Sequence, residues 1–329
     1  MIDRLKSWLP WLKTLLGVGL LLVVIIQVDW GDLVGYLLDV DPAWMILGLA
    51  VVLVGLLVKA VRWGVLLHSF NVKVAPSKVL EAYLTGQALN ILLPARGGEF
   101  ARFGLVSADK PHLSPEIASS IVLEKSLDVL GLGALVGFLL LALPANTGTD
   151  ALGTILPRLG GLLIGLIVLI FVFVMIWPVI YSRLRGNLKG WPDRLIEAFQ
   201  RGVTIWLLWI RQPKKTIPAV ALTLVNWILM WITNLVIFRA VGLAAGGVAA
   251  ALVLALVIIG LLPAWMPGNI APFYFFATLG LLPFNIPLDL GLAYAVVLHA
   301  VVTLPTLLIG GAILLLPGRR PHLSDVENT

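Results

Sequence analysis

Six stretches of this chain, at roughly 12–28, 43–67, 116–142, 160–181, 216–241 and 289–315, are long and apolar enough to cross a bilayer as helices. Crossing the hydrocarbon takes about 20 apolar residues. The rest of the composition agrees: the 329 residues are 60% hydrophobic and 12% charged. An ordinary soluble domain carries about 25% charged residues. Too few polar side chains remain to build a water-facing surface, so the missing surface is lipid. The N-terminus looks like a secretory signal, with Arg4, Lys6 and Lys13 ahead of Leu15 to Ile26. No small-x-small cleavage site follows before Asp29, so the run is read as an uncleaved first span. The expectation is one transmembrane domain over 1–329, with no soluble catalytic domain.

Two further apolar stretches are broken. One covers 77–107 and is interrupted from Asn90 to Glu99; the other covers 247–282 and is interrupted from Pro263 to Asn269. The basic residues decide how to read them, because short cytoplasmic loops collect Lys and Arg. With the N-terminus inside and both broken stretches as re-entrant hairpins, eighteen of the 23 Lys and Arg fall in inner segments and only Arg158 in an outer one. Lys59, Arg62, Lys125 and Arg239 lie within spans. Full crossings at both breaks would put the basic 182–215 loop outside, against that bias. The net charge of +6 is thereby assigned to cytoplasmic loops rather than to nucleic acid. Within 182–215, Trp191, Leu195, Ile196, Phe199, Val203, Trp206 and Leu207 recur at helical spacing among Arg194, Glu197 and Arg201. That pattern predicts an interfacial helix over about 191–210, lying on an anionic inner leaflet.

The two halves of the chain are alike. Repeat one, 12–142, and repeat two, 160–315, each read span, span, broken stretch, span. The segment Pro94 to Phe100 matches Pro267 to Phe273, and Ala118 to Glu124 matches Ala293 to His299. Three crossings per half is an odd number, so the second half enters from the opposite face. The expected fold is all-α: about six transmembrane helices plus two re-entrant helical hairpins in an inverted-topology repeat, both termini cytoplasmic. Transporters built this way place their substrate where discontinuous helices meet. Irregular backbone at membrane depth must face protein or water.

Charges at membrane depth are rare, each opposed by roughly 2.5–3.5 kcal/mol on insertion scales. Lys59 and Arg62 sit in the second span, Arg96, Glu99 and Arg102 on the first hairpin, and Glu124, Lys125 and Asp128 in the next span. Glu124 is expected roughly 13 Å from the inner end of its helix at 1.5 Å per residue. One reading is a polar pocket in which Arg62, Arg96 and Arg102 hold a phosphate through guanidinium forks. Gly97 and Gly98 would let a helix N-terminus approach the anion, and Glu99, Glu124 and Asp128 would orient the arginines or carry a proton. The other reading is a satisfied intramembrane ion-pair network that pins the helices, with Lys59 and Arg62 snorkelling to the interface. His299 corresponds to Glu124 in the repeat. It and Asn269, like Asn226 and Asn234, are either ligands or interhelical hydrogen-bonders. The absence of cysteine, four histidines without ligand spacing and no phosphate-loop pattern point to no metal, no cofactor and no ATP.

The run Gly86-x3-Asn90-x3-Pro94-x-Arg96-x-Gly98-Glu99-x2-Arg102 resembles the membrane region of lysylphosphatidylglycerol synthases and the stand-alone flippase-like proteins that share it. Arg62-Trp63, Glu124-Lys125-x2-Asp128 and the Pro267-Gly268 turn agree with it. The resemblance implies translocation of an anionic phospholipid or polyprenyl-phosphate-linked headgroup across the cytoplasmic membrane of a prokaryote. The partner would be a membrane lipid with a phosphate-containing headgroup, joined by a homo-oligomeric copy or a lipid-modifying enzyme. One departure stands out: Ile270-Ala271-Pro272-Phe273 replaces the Gly-Val-x-Glu often found after the second Pro-Gly. If that acid serves the outward-facing site, this chain has lost it or uses His299. Two other functions compete with lipid transport. One is a membrane-embedded transferase using a polyprenyl-phosphate sugar, with its acid among Asp29, Asp32, Asp39 and Asp41. The other is a scaffold subunit that transports nothing.

Overall fold

A computed structural model describes residues 28–93, 97–142, 203–262 and 267–315, with isolated positions at 19, 26, 176–177, 180–182 and 200. Within these residues every regular element is helical. The elements are α1 (Trp30–Leu38), α2 (Pro42–Ser69), α3 (Pro76–Leu92), α4 (Gly98–Ser107), α5 (Ser114–Ala142), α6 (Pro213–Ala240), α7 (Gly247–Gly260), α8 (Ile270–Leu279) and α9 (Leu288–Leu315). Short 3-10 turns stand at Pro111–Leu113, Pro267–Asn269 and Leu282–Phe284. Among the described residues four helices are long and apolar enough to cross a membrane: α2, α5, α6 and α9. They correspond to four of the six expected spans. The runs at 12–28 and 160–181 lie almost wholly outside the described residues, as does most of 182–215. Residues 203–210 of the expected interfacial stretch are described, and they are helical.

Local chemistry explains the helix ends. Asp29 caps α1, its Oδ1 accepting from the Gly31 and Asp32 amides at 2.8 and 3.3 Å. Asp41 does the same ahead of α2, accepting from Ala43 N at 2.8 Å. α3 and α6 open on Pro76 and Pro213, whose missing N–H costs nothing in a first turn. α3 stops where Leu93 turns extended, φ −95° and ψ 142°. Leu93 precedes Pro94, and a residue before proline is pushed out of the helical region. The second break ends through Gly268 at φ 71° and Asn269 at φ 46°, left-handed positions that glycine and asparagine tolerate.

The broken stretches are therefore helix–break–helix pairs, and each packs antiparallel on itself. In the first, Gly86 and Gly98 meet so closely that a Cβ on Gly98 would lie 1.9 Å from the Gly86 carbonyl oxygen. Tyr83 meets Arg102, and Lys78 at the start of α3 forms an ion pair with Asp109 just beyond α4. In the second, a Cβ on Gly260 would strike the Phe276 ring at 2.0 Å, and one on Gly280 would lie 2.9 Å from the Val253 Cα.

The described helices repeat in order and length. A 28-residue helix (α2, α6) leads to a helix–break–helix pair ending in ten residues (α4, α8). A 3-10 turn follows, then a helix of 29 (α5) or 28 residues (α9). One hydrogen bond repeats as well. Trp63 Nε1 donates to Ser120 Oγ at 3.1 Å, and the Tyr294 hydroxyl donates to Asn234 Oδ1. Trp63 and Asn234 are each the twenty-second residue of their helix, and Ser120 and Tyr294 each the seventh of theirs.

The chain divides into two compact units. One comprises Met1–Val61, Ala75–Pro111 and Val225–Thr329; the other comprises Arg62–Val74 and His112–Leu224. The first unit packs on small residues, with Ala249, Ala250, Ala277, Ala293 and Ala295 all fully buried. Inside a bilayer, apolar burial gives little drive, so close backbone approach through small side chains holds helices together. Outward, large apolar side chains stay exposed, among them Ile46, Val54, Leu57, Leu141, Leu224 and Leu308. No water-soluble surface is built this way.

Candidate functional site

The charged cluster of the second unit is knitted to itself. Arg62, 1% exposed, donates from Nη2 to Glu124 at 3.3 Å and from Nη1 to Asp128 at 2.6 Å. Nη1 also reaches Thr223 Oγ1 at 3.4 Å. The i, i+4 spacing of Glu124 and Asp128 puts both carboxylates on one face of α5, where a single guanidinium spans them. A buried charge persists only when paired in this way. Lys125, on the same helix, is half-buried.

The other expected residues belong to the first unit, apart from Arg96, which lies outside the described residues. Gly97 is the N-cap of α4, without a side-chain cap, and Gly98 is buried against Gly86. Glu99 stands in the first turn of α4. Arg102 is 2% exposed, with its guanidinium 5.1 Å over the Tyr83 ring, a cation–π geometry.

Asn90, Asn269 and His299 come together around a cavity of about 370 Å³ in the first unit. Asn90 ends α3, Asn269 lies in the second break, and His299 projects from α9. Pockets for small ligands occupy about 300–1,000 Å³. His299 is 9% exposed, with Nδ1 3.4 Å from the Tyr274 hydroxyl and its ring 4.7 Å from that of Phe273. Lys59, Gln87, Asn226, Thr233, Asn234, Thr303 and Thr306 complete the polar lining, and the remaining walls are aliphatic with one aromatic, Phe273.

Sequence reasoning noted Lys59, Asn226 and Asn234 without placing them in the site, and missed Gln87 and the threonines. A threonine in an apolar helix ordinarily returns its hydroxyl to a carbonyl one turn back, and Thr233 and Thr306 do so here. Composition gives no sign that such a residue also lines a cavity. Thr303 is different: four residues after His299, it repeats the spacing of Glu124 and Asp128. The two halves thus use corresponding positions differently. One fills them with an ion-pair network, the other lines a cavity with them.

Long apolar helices that keep large apolar side chains exposed define a multi-pass membrane protein. Residues 11–310 match the family described as the lysylphosphatidylglycerol synthase TM region, and the chain belongs to that family. Over 144 residues it is also 26% identical to a protein named glycosyltransferase AglD, from Haloferax volcanii. That overlap takes in 42% of this chain and spans only 23% of the relative's length.

Proposed function

We propose that this protein carries a phosphate-bearing membrane lipid between leaflets, with the cavity of the first unit receiving the headgroup. The carrying observation is the cavity's position. It lies beside both helix breaks, through Asn90–Ile91 in the last turn of α3 and through Gly268–Asn269, and sets polar side chains among mostly apolar walls. Membership of a family named for the membrane region of a lipid synthase supports a lipid-related role. Among the described lining residues Lys59 carries a positive charge, a point charge suited to a phosphate.

Both broken stretches act as re-entrant hairpins in this reading, one from each face, with the termini in the cytoplasm of a prokaryotic cell. The Lys78–Asp109 pair favours it, because it joins the two ends of the first hairpin. Arg62, Glu124 and Asp128 hold helices in register rather than meeting the lipid. The test is translocation of a tail-labelled anionic phospholipid by the purified protein in liposomes. Lys59→Ala and His299→Ala should each slow it several-fold while the protein still folds. Unchanged rates in both would remove the cavity from the path. Translocation by the purified chain alone would also eliminate the scaffold reading.

The likeness to a named glycosyltransferase favours a second reading, a membrane-embedded transferase using a polyprenyl-phosphate sugar. Asp29 and Asp41 are engaged as helix caps, which leaves Asp32, in the first turn of α1, and Asp39, just after its end, as the candidate acids, with Asp32 tested first. Sugar transfer by the purified chain, abolished in Asp32→Asn, would establish it.

A further inference from the structure

Two glycines lie on one face of α2, and they serve different ends. Gly48 and Gly55 are seven residues apart, close to two turns. A Cβ on Gly48 would lie 2.8 Å from Ile237 Cδ1 and 3.5 Å from Val236 Cγ1, so α2 sits directly on α6 there. The Asp41 amide donates to the Ala240 carbonyl at 2.8 Å, a second tie at the same ends of the two helices. Small residues in membrane helices ordinarily serve such close approach. Gly55 does not. It is buried and lines the cavity, yet a Cβ there would meet nothing within 4 Å among the described residues. Glycine weakens a helix relative to alanine, and no described contact at Gly55 calls for it. What the residue keeps is space.

The surroundings of that space follow from register. From the Asp41–Ala240 and Gly48–Ile237 contacts α2 and α6 run antiparallel, which puts Met230 across from Gly55 and Asn226 across from Lys59. All four line the cavity. Around Gly55 the walls are apolar: Val51, Val52 and Leu56 on α2, and Leu229 and Met230 on α6. Thr233, a turn further along α6, donates its hydroxyl to the Leu229 carbonyl at 2.8 Å and so adds little polarity. Lys59 and Asn226 lie a turn the other way, roughly 6 Å at 1.5 Å per residue. The space between α2 and α6 therefore passes from a polar level to an apolar one. An enclosed apolar recess favours hydrocarbon over water.

We infer that the recess at Gly55 seats the first carbons of a lipid tail, with the headgroup at the level of Lys59 and Asn226. Gly55 then decides which tails enter. The inference rests on the headgroup reading for where the phosphate lies, and its test separates the two.

Binding in detergent tests it by varying tail and headgroup independently. The purified full chain, unaltered and as Gly55→Ala and Gly55→Leu, is titrated with dipalmitoyl phosphatidic acid, dipalmitoyl phosphatidylglycerol and diphytanoyl phosphatidic acid. The last carries a methyl branch on each chain close to the head. Gly55→Leu should weaken both dipalmitoyl lipids about ten-fold, the scale of an overpacked site, and by the same factor for either headgroup. Gly55→Ala should weaken the branched lipid more than the straight one, and its melting temperature should hold or rise. That variant carries the test if leucine impairs folding. Of the two phosphatidic acids, the one that the unaltered chain binds tighter identifies the tail as acyl-like or isoprenoid-like. Unchanged binding in both Gly55 variants would overturn the inference. A loss that differs between the two headgroups at constant tails would also overturn it, because the headgroup would then be what meets Gly55. Weakened binding in Lys59→Ala with unchanged binding in both Gly55 variants would overturn the recess and leave the headgroup site. A Gly55→Leu loss shared by both headgroups, with Lys59→Ala and His299→Ala unchanged, would uphold the recess and remove the headgroup site.

Discussion

Arg62 is the residue on which the second unit turns. Its guanidinium is shared between Glu124 and Asp128, with Arg62 and Glu124 both 1% exposed and Asp128 34% exposed. Replacing one member of a buried pair leaves the other charged and uncompensated, a penalty of roughly 3–5 kcal/mol. Arg62→Ala should therefore lower the melting temperature in detergent far more than Asp128→Ala, whose partner keeps Glu124 and whose own site is wetter. The double variant Arg62→Ala/Glu124→Gln should recover part of the loss, since the only carboxylate it leaves without the arginine, Asp128, is 34% exposed and partly hydrated. If the double variant is as unstable as the sum of the singles, the pair is not an isolated network. The sequence showed the i, i+4 carboxylates and the arginine but left open whether they formed a site or a brace. That choice depends on where the guanidinium goes, and residue spacing along a chain does not contain it.

At the scale of elements, the first helix pair rests on two glycines. A methyl on Gly98 would lie 1.9 Å from the Gly86 carbonyl oxygen, which is backbone and cannot swing away. Gly98→Ala should separate α3 from α4 and destabilise the protein by about 1–3 kcal/mol, the usual range for overpacking. Gly104, six residues on in the same helix, has nothing within 4 Å of its would-be Cβ. Gly104→Ala should be neutral or stabilising by about 0.5–1 kcal/mol through helix propensity. Parallel thermal melts of the two variants separate the contact from the general effect of adding a methyl. The sequence marked these elements well. Pro94 ended α3, Pro267-Gly268 ended the second break, and the four described long helices lie where the apolar runs do. It did not show that Gly86 and Gly98 touch, because twelve residues separate them and the break between them carries no pairing signal.

At the scale of the molecule, the question is whether the repeat is inverted. Identity between the halves is weak, and the strongest sign of inversion in the sequence is the distribution of Lys and Arg. The structure adds an independent correspondence. Trp63–Ser120 and Asn234–Tyr294 join first and last long helices at equal positions, with the aromatic donor on opposite helices and different residue types at each position, so they leave no trace in a sequence alignment. A repeat with hairpins that return to their own side makes a firm geometric demand: both ends of each helix–break–helix pair must face the same compartment, and the two pairs must face opposite ones. The chain contains no cysteine, so single cysteines report cleanly. Lys73→Cys and Lys110→Cys flank the first pair; Ala245→Cys and Asn285→Cys flank the second. In intact cells, an impermeant maleimide should label the second two and spare the first two, and permeabilisation should expose all four. Labelling of only one member of the first pair would mean that 77–107 crosses the membrane outright. The odd number of crossings per half would then be lost, and with it the inversion that brings the two breaks to one cavity.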